Sequence, residues 1–485
     1  MSVKKNRIGY DFTSENNVFS TFNALLNEEN KESYSIPSIK ETQDAINLAH
    51  ATFKNYRLTS TETRSNFLRS IAAELENNRQ ELIQMYCKES SLSSTRGNNE
   101  LDRTIFQLNS FADYILQKDW NRPIETNPIN SPFTISASFQ AIGPVAVFGS
   151  SNFPFAYSTA GGDTAAALAA GCPVIVKAHP MHAGTSYLVS ECIVKASFDN
   201  NLPNGVFSHL MDSGHEVGVE LTQNEFIKAI GFTGSIKGGR ALMDISSKRN
   251  APIPVFAEMG SLNPVIFFES ELDKNLELWV DKFTSSISTD GGQFCTKPGI
   301  LFIPNSVMGN KFISELELQL SLTEPKCHLH PRLFESFKNQ VEESFNWIKC
   351  SLPNHSQPVL RIVTSFDFLN DYNYYEEFFG PQSIAVTYDS IEELDEMFEK
   401  LSGQLTTTFI GSEDEFHSHI DLIEKSSEKS GRIIFNGVPT GVTVTDSMVH
   451  SGTYPASSDS RFTAVGTQSI YRFLRPVSKQ KTRNV

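Results

Sequence analysis

Apolar residues recur at helical spacing over the first quarter of the chain and then give way to a strand–helix rhythm. Ile39 to Tyr56 places Ala45, Ile46, Ala49 and Phe53 on one helical face. Thr61 to Ser90 repeats the pattern with Phe67, Leu68, Ile71, Leu75, Leu82 and Ile83, with Ser60 or Thr63 as its cap. A third helix is expected from about Glu100 to Leu116. Residues Met1 to Pro37 lack such spacing and read as an arm laid over the surface. Trp120 to Pro132, with Pro123 and Pro128 inside it, reads as a connector. Phe133 to Ala141 alternates apolar and polar residues, the pattern of an exposed or intersubunit strand.

From Pro144 the rhythm is strand, helix, strand. Val145–Phe148, Val174–Val176, Val206–Phe207 and Phe226–Ile230 are strand candidates, and Phe155–Ala170 and Ala183–Ala196 are helix candidates. Strands alternating with helices predict a parallel, doubly wound sheet that binds ligands at its carboxyl ends. After Glu258 the rhythm recurs. Strands are expected at Pro264–Phe267, Ile300–Ile303, Leu360–Val363, Ser383–Val386, Thr406–Ile410 and Ile433–Phe435, with helices at Leu272–Ser286, Lys311–Leu320 and Ile391–Leu401. This is a second α/β unit. The tail from Ser460 to Val477 reads as one or two strands whose partner is remote in sequence or on another subunit.

A chain of 485 residues exceeds one compact core, so two or three domains are expected. Its formal net charge of -15 argues against nucleic acid as a partner, while a local positive site can still take a small anion. The six cysteines are scattered without a CxxC pair, so spacing indicates neither a disulfide framework nor a zinc site. His179 and His182 have no acid at a metal-binding spacing, and no metal is expected. No apolar run reaches membrane-spanning length and no leader-like segment opens the chain, so a cytoplasmic, reducing location is expected.

Candidate chemistry centres on Asp290-Gly291-Gly292-Gln293-Phe294-Cys295-Thr296-Lys297-Pro298-Gly299, a cysteine in a glycine-rich turn. Glycines let backbone approach a ligand closely, which suits a nucleophilic thiol; a plain buried cysteine is the alternative. Glu258 ends the apolar run Val255-Phe256-Ala257, just before Met259-Gly260. A carboxylate there is costly unless paired or functional, so Glu258 is a candidate general base as well as a candidate turn cap. Asn152 follows the Val145–Phe148 strand and either caps the next helix or aims its amide at an oxyanion. There is no GxGxxG. Gly234 and Ser235 instead open the Ile236–Ser246 helix, where a pyrophosphate can sit at the N-terminus. Lys177 ends another strand.

Together, Asn152-Phe153-Pro154, Lys177, Gly231-Phe232-Thr233-Gly234-Ser235, Glu258-Met259-Gly260, Gly292-Gln293-Phe294-Cys295-Thr296 and Glu377-Phe378-Phe379-Gly380-Pro381 resemble the aldehyde dehydrogenase superfamily in order and spacing, from about Ile39 to Val477. Gly143–Gly149, Gly161–Thr164, Val176–Pro180, Met448–His450, Tyr454–Ala456, Ser458–Arg461 and Arg472–Pro476 are similar to its α-ketoglutaric semialdehyde (2,5-dioxovalerate) dehydrogenase branch. Fatty-aldehyde dehydrogenases of luminous bacteria share parts of this pattern.

The resemblance implies an α/β fold with a Rossmann-type cofactor domain (1–124 and 143–257), an α/β catalytic domain (258–455) and a small β oligomerisation element (125–142 and 456–485). It implies a homodimer or homotetramer, with Phe133–Ala141 and Ser469–Val477 pairing across subunits. Cys295 would attack the aldehyde, Asn152 and the Cys295 N–H would hold the oxyanion, and Glu258 would activate the hydrolytic water. Lys177, His179, Pro180, Gly234, Ser235, Gly260, Glu377 and Phe379 would contact the cofactor, and Phe153, Phe155, Tyr157, Ser158 and Phe294 the substrate. Pro180 stands where NAD-preferring relatives carry a ribose-binding glutamate, so NADP is expected to serve at least as well as NAD. Arg103 either binds a distal carboxylate or forms a surface salt bridge. The implied reaction is NAD(P)-dependent oxidation of α-ketoglutaric semialdehyde to 2-oxoglutarate. A sugar-derived or long-chain aldehyde is the runner-up, and a non-catalytic relative or CoA-acylating enzyme the alternative class.

Overall fold

A computed structural model describes residues 3–15, 17–128, 132–342 and 350–482. Two parallel sheets carry the fold. The first runs Val255–Glu258, Ala229–Thr233, Val145–Phe148, Val174–Ala178 and Phe207–Met211, all parallel. The second, six-stranded and parallel throughout, runs Val359–Val363, Gln382–Tyr388, Ile300–Pro304, Val265–Phe267, Gln404–Ile410 and Ser430–Phe435. Both read as near-continuous apolar runs because helices cover both faces. Register sets Thr233 beside Glu258 and Phe148 beside Lys177, so both residues stand at carboxyl ends of the first sheet.

The expected N-terminal helices are present with firmer boundaries. Ser38 and Glu41 form a capping box that starts Ile39–Tyr56. Ser60, rather than Thr63, caps Thr61–Asn77. The Thr61–Ser90 pattern divides there, and Arg79–Ser90 follows as its own helix. The next helix starts at Ser94, capped by Ser93, and ends at Tyr114.

Three expectations change. The N-terminal arm is not merely laid on the surface. Arg7–Ile8 and Asp11–Phe12 extend the first sheet antiparallel at its edge. Asn6 is fully buried there, its amide donating to the Ser35 carbonyl and its Oδ1 accepting from Met211 N. Two-residue strands leave too little alternation for a sequence pattern. The helix read from Phe155 begins only at Gly162. The Phe155 and Ala156 amides donate to the buried Glu100 carboxylate at 2.8 and 3.0 Å, which holds that stretch as a turn. The tail folds as a 3-10 helix at Thr467–Phe473 followed by a Leu474–Thr482 strand. That strand pairs with Phe133–Ala141 of the same chain over its whole length, and Ile124–Thr126 flanks the other side. The Leu474–Thr482 strand stands at the edge of this three-stranded sheet. Part of the Trp120–Pro132 connector, 129–131, lies outside the described residues.

Asn6→Ala is expected to strand the buried Met211 N–H and cost about 1–3 kcal/mol. Chemical denaturation should show it as a lowered midpoint; an unchanged midpoint would mean the arm adds no stability to the sheet edge.

Candidate active site

After the Glu269–Ser288 helix the chain turns through Asp290, Gly291 and Gly292, with φ of 48°, 66° and 64°. A Cβ on Gly292 would stand 2.5 Å from the Gly380 carbonyl oxygen, so only glycine fits. Asn263 then holds the loop from behind. Its Nδ2 donates to the Cys295 and Lys297 carbonyls, 2.9 Å each. Gln404 Oε1 accepts from Leu262 N and Asn263 N at 2.8 and 3.1 Å. One amide pair thereby fixes both the segment leaving Glu258 and the Cys295 loop. Neither residue stands out in the sequence, where each is a polar residue beside an apolar run.

Cys295, Glu258 and Asn152 meet here. Glu258 is buried at the end of its strand, and the tail crosses beside it. Met259 N donates to the Ala456 carbonyl, and Ala257 N to Ser458 Oγ. That crossing delivers His450, also buried, whose Nε2 lies 2.8 Å from Glu258 Oε1 and 3.6 Å from Cys295 Sγ. In the sequence His450 stands out only as part of the Met448–His450 match to the family branch; a lone histidine carries no spacing signal. Burial, and then the Glu258 charge, push the Cys295 thiol well above its ordinary pKa. Asn152 is no helix cap, since the next helix begins ten positions later. Its Nδ2 donates to the Gln293 carbonyl at 3.0 Å, two residues before Cys295, and the amide keeps a second N–H.

A cavity of about 240 Å³ opens onto Cys295. Phe153, Tyr157 and Phe294 line it, with Phe153 edge-on to both other rings at 5.1 and 5.4 Å. Phe155 and Ser158 do not. Phe155 stacks on Tyr86 in the core at 5.0 Å, and Ser158 is buried against Gly149. Both were expected at the substrate from the family resemblance, with this stretch as a helix; the Glu100-bound turn points them elsewhere. Two arginines from the Ser94–Tyr114 helix also reach the cavity. Arg96 is neutralised by Glu100 and Asp290, at 3.0 and 2.8 Å. Arg103 meets no carboxylate among the described residues. It donates to Tyr157 OH at 3.1 Å and to the Val442 carbonyl at 3.4 Å, and its Nη1 has no partner. The surface salt bridge expected for Arg103 is therefore not formed.

On the other side of the Glu258 strand lie the residues read as cofactor contacts. Lys177 Nζ donates to the Asp212 carbonyl at 3.0 Å, and burial lowers its pKa. His179 Nδ1 accepts from Met181 N, which leaves the ring proton on Nε2; the ring stacks on His182, and burial holds its pKa well below the usual range. Pro180 opens a 3-10 turn. Gly234 N donates to the Glu258 carbonyl and Ser235 Oγ accepts from Gly238 N. Gly234 N is thereby engaged, while the Ser235 hydroxyl retains its O–H, so the groups that could meet an anion at this helix are Ser235 and the first-turn amides of Ile236 and Lys237. A Cβ on Gly260 would meet Glu377 Oε2 at 2.2 Å, so the glycine admits that carboxylate. Burial raises the Glu377 pKa and Lys297 opposes it. Phe379 is half-buried two residues on.

A sequence profile of the Aldehyde dehydrogenase family matches residues 13–324. An α-ketoglutaric semialdehyde dehydrogenase of Acinetobacter baylyi is 38% identical over 93% of this chain and 88% of its own. An α-ketoglutaric semialdehyde dehydrogenase 2 of Azospirillum brasilense is 36% identical over 92% and 88%. The fold superposes on a betaine aldehyde dehydrogenase double mutant from Staphylococcus aureus, solved in complex with NAD+, with a TM-score of 0.85 at 18% identity, covering 99% of this chain and 97% of that one.

Because its thiol is held above the ordinary range, Cys295 should alkylate with iodoacetamide faster as pH rises, with a midpoint above the free-thiol value of about 8.5. Glu258→Gln removes the neighbouring negative charge and should move that midpoint down. Superimposable profiles would dismiss the electrostatic account.

Proposed function

The chain belongs to the aldehyde dehydrogenase family and is an NAD(P)-dependent enzyme of aldehyde oxidation, and from that premise we propose that its substrate is a short aldehyde bearing a carboxylate, α-ketoglutaric semialdehyde first. The observation that carries this reading is Arg103, a cation without an acid partner among the described residues, in the cavity that opens onto Cys295. A partly buried, unpaired cation favours an anionic guest, and a charge-assisted hydrogen bond adds about 1.5–3 kcal/mol. The likeness to two relatives named for that substrate supports it. The three aromatic walls favour a second reading, a longer apolar aldehyde, which would leave Arg103 unused.

In the proposed mechanism the Cys295 thiol loses its proton toward the His450–Glu258 pair, 3.6 Å away at Nε2, and the sulfur attacks the aldehyde carbon. Asn152, swung from the Gln293 carbonyl or through its second N–H, joins the Cys295 N–H in holding the oxyanion of the thiohemiacetal. A nicotinamide cofactor, when bound, would supply the hydride acceptor. Glu258, oriented by His450, then takes a proton from the water that hydrolyses the Cys295 thioester. Lys177 and His179 would hold the adenine-side ribose, the first-turn amides of Ile236 and Lys237 the pyrophosphate, and Glu377 beside Gly260 the nicotinamide ribose. His179 Nε2–H and the absence of a carboxylate at Pro180 favour a 2′-phosphate, so NADP is read as the better or equal cofactor. Residues 1–124 with 143–257 are assigned to cofactor binding, 258–455 to catalysis, and 125–142 with 456–485 to subunit contacts in a dimer or tetramer.

Cys295→Ala should abolish turnover, and His450→Phe should lower kcat by about 10²-fold. Arg103→Met should raise KM for the acid-bearing aldehyde by about tenfold or more and spare a neutral aldehyde of equal length. Steady-state kinetics on an aldehyde panel with both cofactors checks all of these. Equal losses on charged and neutral aldehydes would refute the Arg103 role, and a strong NAD preference would refute the reading of Pro180.

A further inference from the structure

Cys295, Glu258 and His450 each offer one ligand atom, and these atoms all lie within 4.8 Å of one another. Sulfur, imidazole nitrogen and carboxylate oxygen are the donor set that zinc takes, at about 2.3 Å for sulfur and 2.0–2.2 Å for nitrogen and oxygen. Tetrahedral angles then put a sulfur and a nitrogen ligand about 3.6 Å apart, and a nitrogen and an oxygen ligand about 3.4 Å apart. The Cys295 Sγ to His450 Nε2 distance is 3.6 Å, already at that spacing. The His450 Nε2 to Glu258 Oε1 distance is 2.8 Å and needs to open by roughly half an ångström. The backbones behind the three ligands are tied down. The Cys295 carbonyl accepts from Asn263, His450 N donates to Thr463 Oγ1 at 3.0 Å, and Glu258 bridges to Ser457.

We propose that these three side chains form a reversible zinc site, with the fourth position open to the aldehyde cavity, and that the bound ion silences the nucleophile. The charges favour it: a thiolate, a carboxylate and a neutral imidazole balance a divalent cation, whereas without one the thiolate and carboxylate repel each other in a buried site. Binding replaces the thiol proton: the S–H bond breaks, an S–Zn bond forms, the proton leaves to solvent, and no atom changes oxidation state. A zinc-bound thiolate has its nucleophilic lone pair engaged, and a zinc-bound Glu258 cannot take a proton from water. The bland alternative is a histidine that only steers Glu258, with zinc meeting the thiol alone. The three ligands come from separate segments of the chain, which is why cysteine spacing gives no hint of the site. Zinc occupancy stands apart from the aldehyde dehydrogenase reading; only the inhibition rests on it.

Metal-free full-length protein is titrated with zinc against a chromogenic chelator, and with cobalt as a spectroscopic substitute, without substrate or cofactor. One ion per chain at micromolar or tighter affinity is expected, with a thiolate-to-cobalt charge-transfer band. Cys295→Ala should remove the band, His450→Phe should weaken binding by roughly tenfold or more, and Cys87→Ser should match the parent. On the parent itself, one equivalent of zinc should slow Cys295 alkylation by iodoacetamide about tenfold and leave Cys87 alkylation unchanged. Unaltered alkylation, or zinc held equally well by His450→Phe, would overturn the site. Zinc binding without loss of turnover would remove only the inhibitory step.

Discussion

Keeping a carboxylate dry beside a thiol is the constraint on which this molecule depends. Glu258 lies in a strand whose other residues are apolar and buried, and its charge is tolerable only with a donor at hand. His450 Nε2 is the polar group nearest at hand, 2.8 Å from Glu258 Oε1, and it arrives from a segment remote in sequence. The tail crossing that brings it also supplies hydrogen bonds to the backbone on either side of Glu258, through Ala456 and Ser458. Electrostatic need and backbone satisfaction are met by one segment. The six-stranded sheet serves the same end from the opposite side, since Asn263 and Gln404 hold the cysteine loop against it.

The two parallel sheets were legible because their strands are buried on both faces and read as apolar runs closed by glycine, proline or a polar turn. Cys295 and Glu258 were legible for a related reason: each puts a reactive group where apolar chain meets glycine. What stayed hidden depends on contacts between remote segments. The small-residue run after Asn152 has every local mark of a helix, yet one carboxylate from a preceding helix, Glu100, captures two of its amides and bends it into a turn. Phe155 and Ser158 accordingly face the core. His450 shows no periodicity, and its importance appears only once the tail has crossed Glu258.

Arg96 and Arg103 show how identical residues diverge through their neighbours. They sit two turns apart on one helix and reach the same cavity. Glu100 and Asp290 convert Arg96 into a support that also lies over the rings of Phe153 and Phe294. Arg103 lacks such partners and keeps its positive field for whatever enters. A sequence reader sees two arginines on one helix; only the folded chain separates the strut from the lure.

The pairing of Phe133–Ala141 with Leu474–Thr482 carries a temporal consequence. The earlier strand leaves the ribosome while most of the chain is still unmade, and at ~10 residues per second its mate follows on the order of half a minute later. The segments that flank Glu258 and deliver His450 also emerge long after Glu258 itself. A nascent chain can fold much of its first parallel sheet while its reactive centre does not yet exist. Cys295, Glu258 and His450 come together only when that later stretch threads home, and until then an unsatisfied strand edge is left for a chaperone, or for a neighbouring chain, to find.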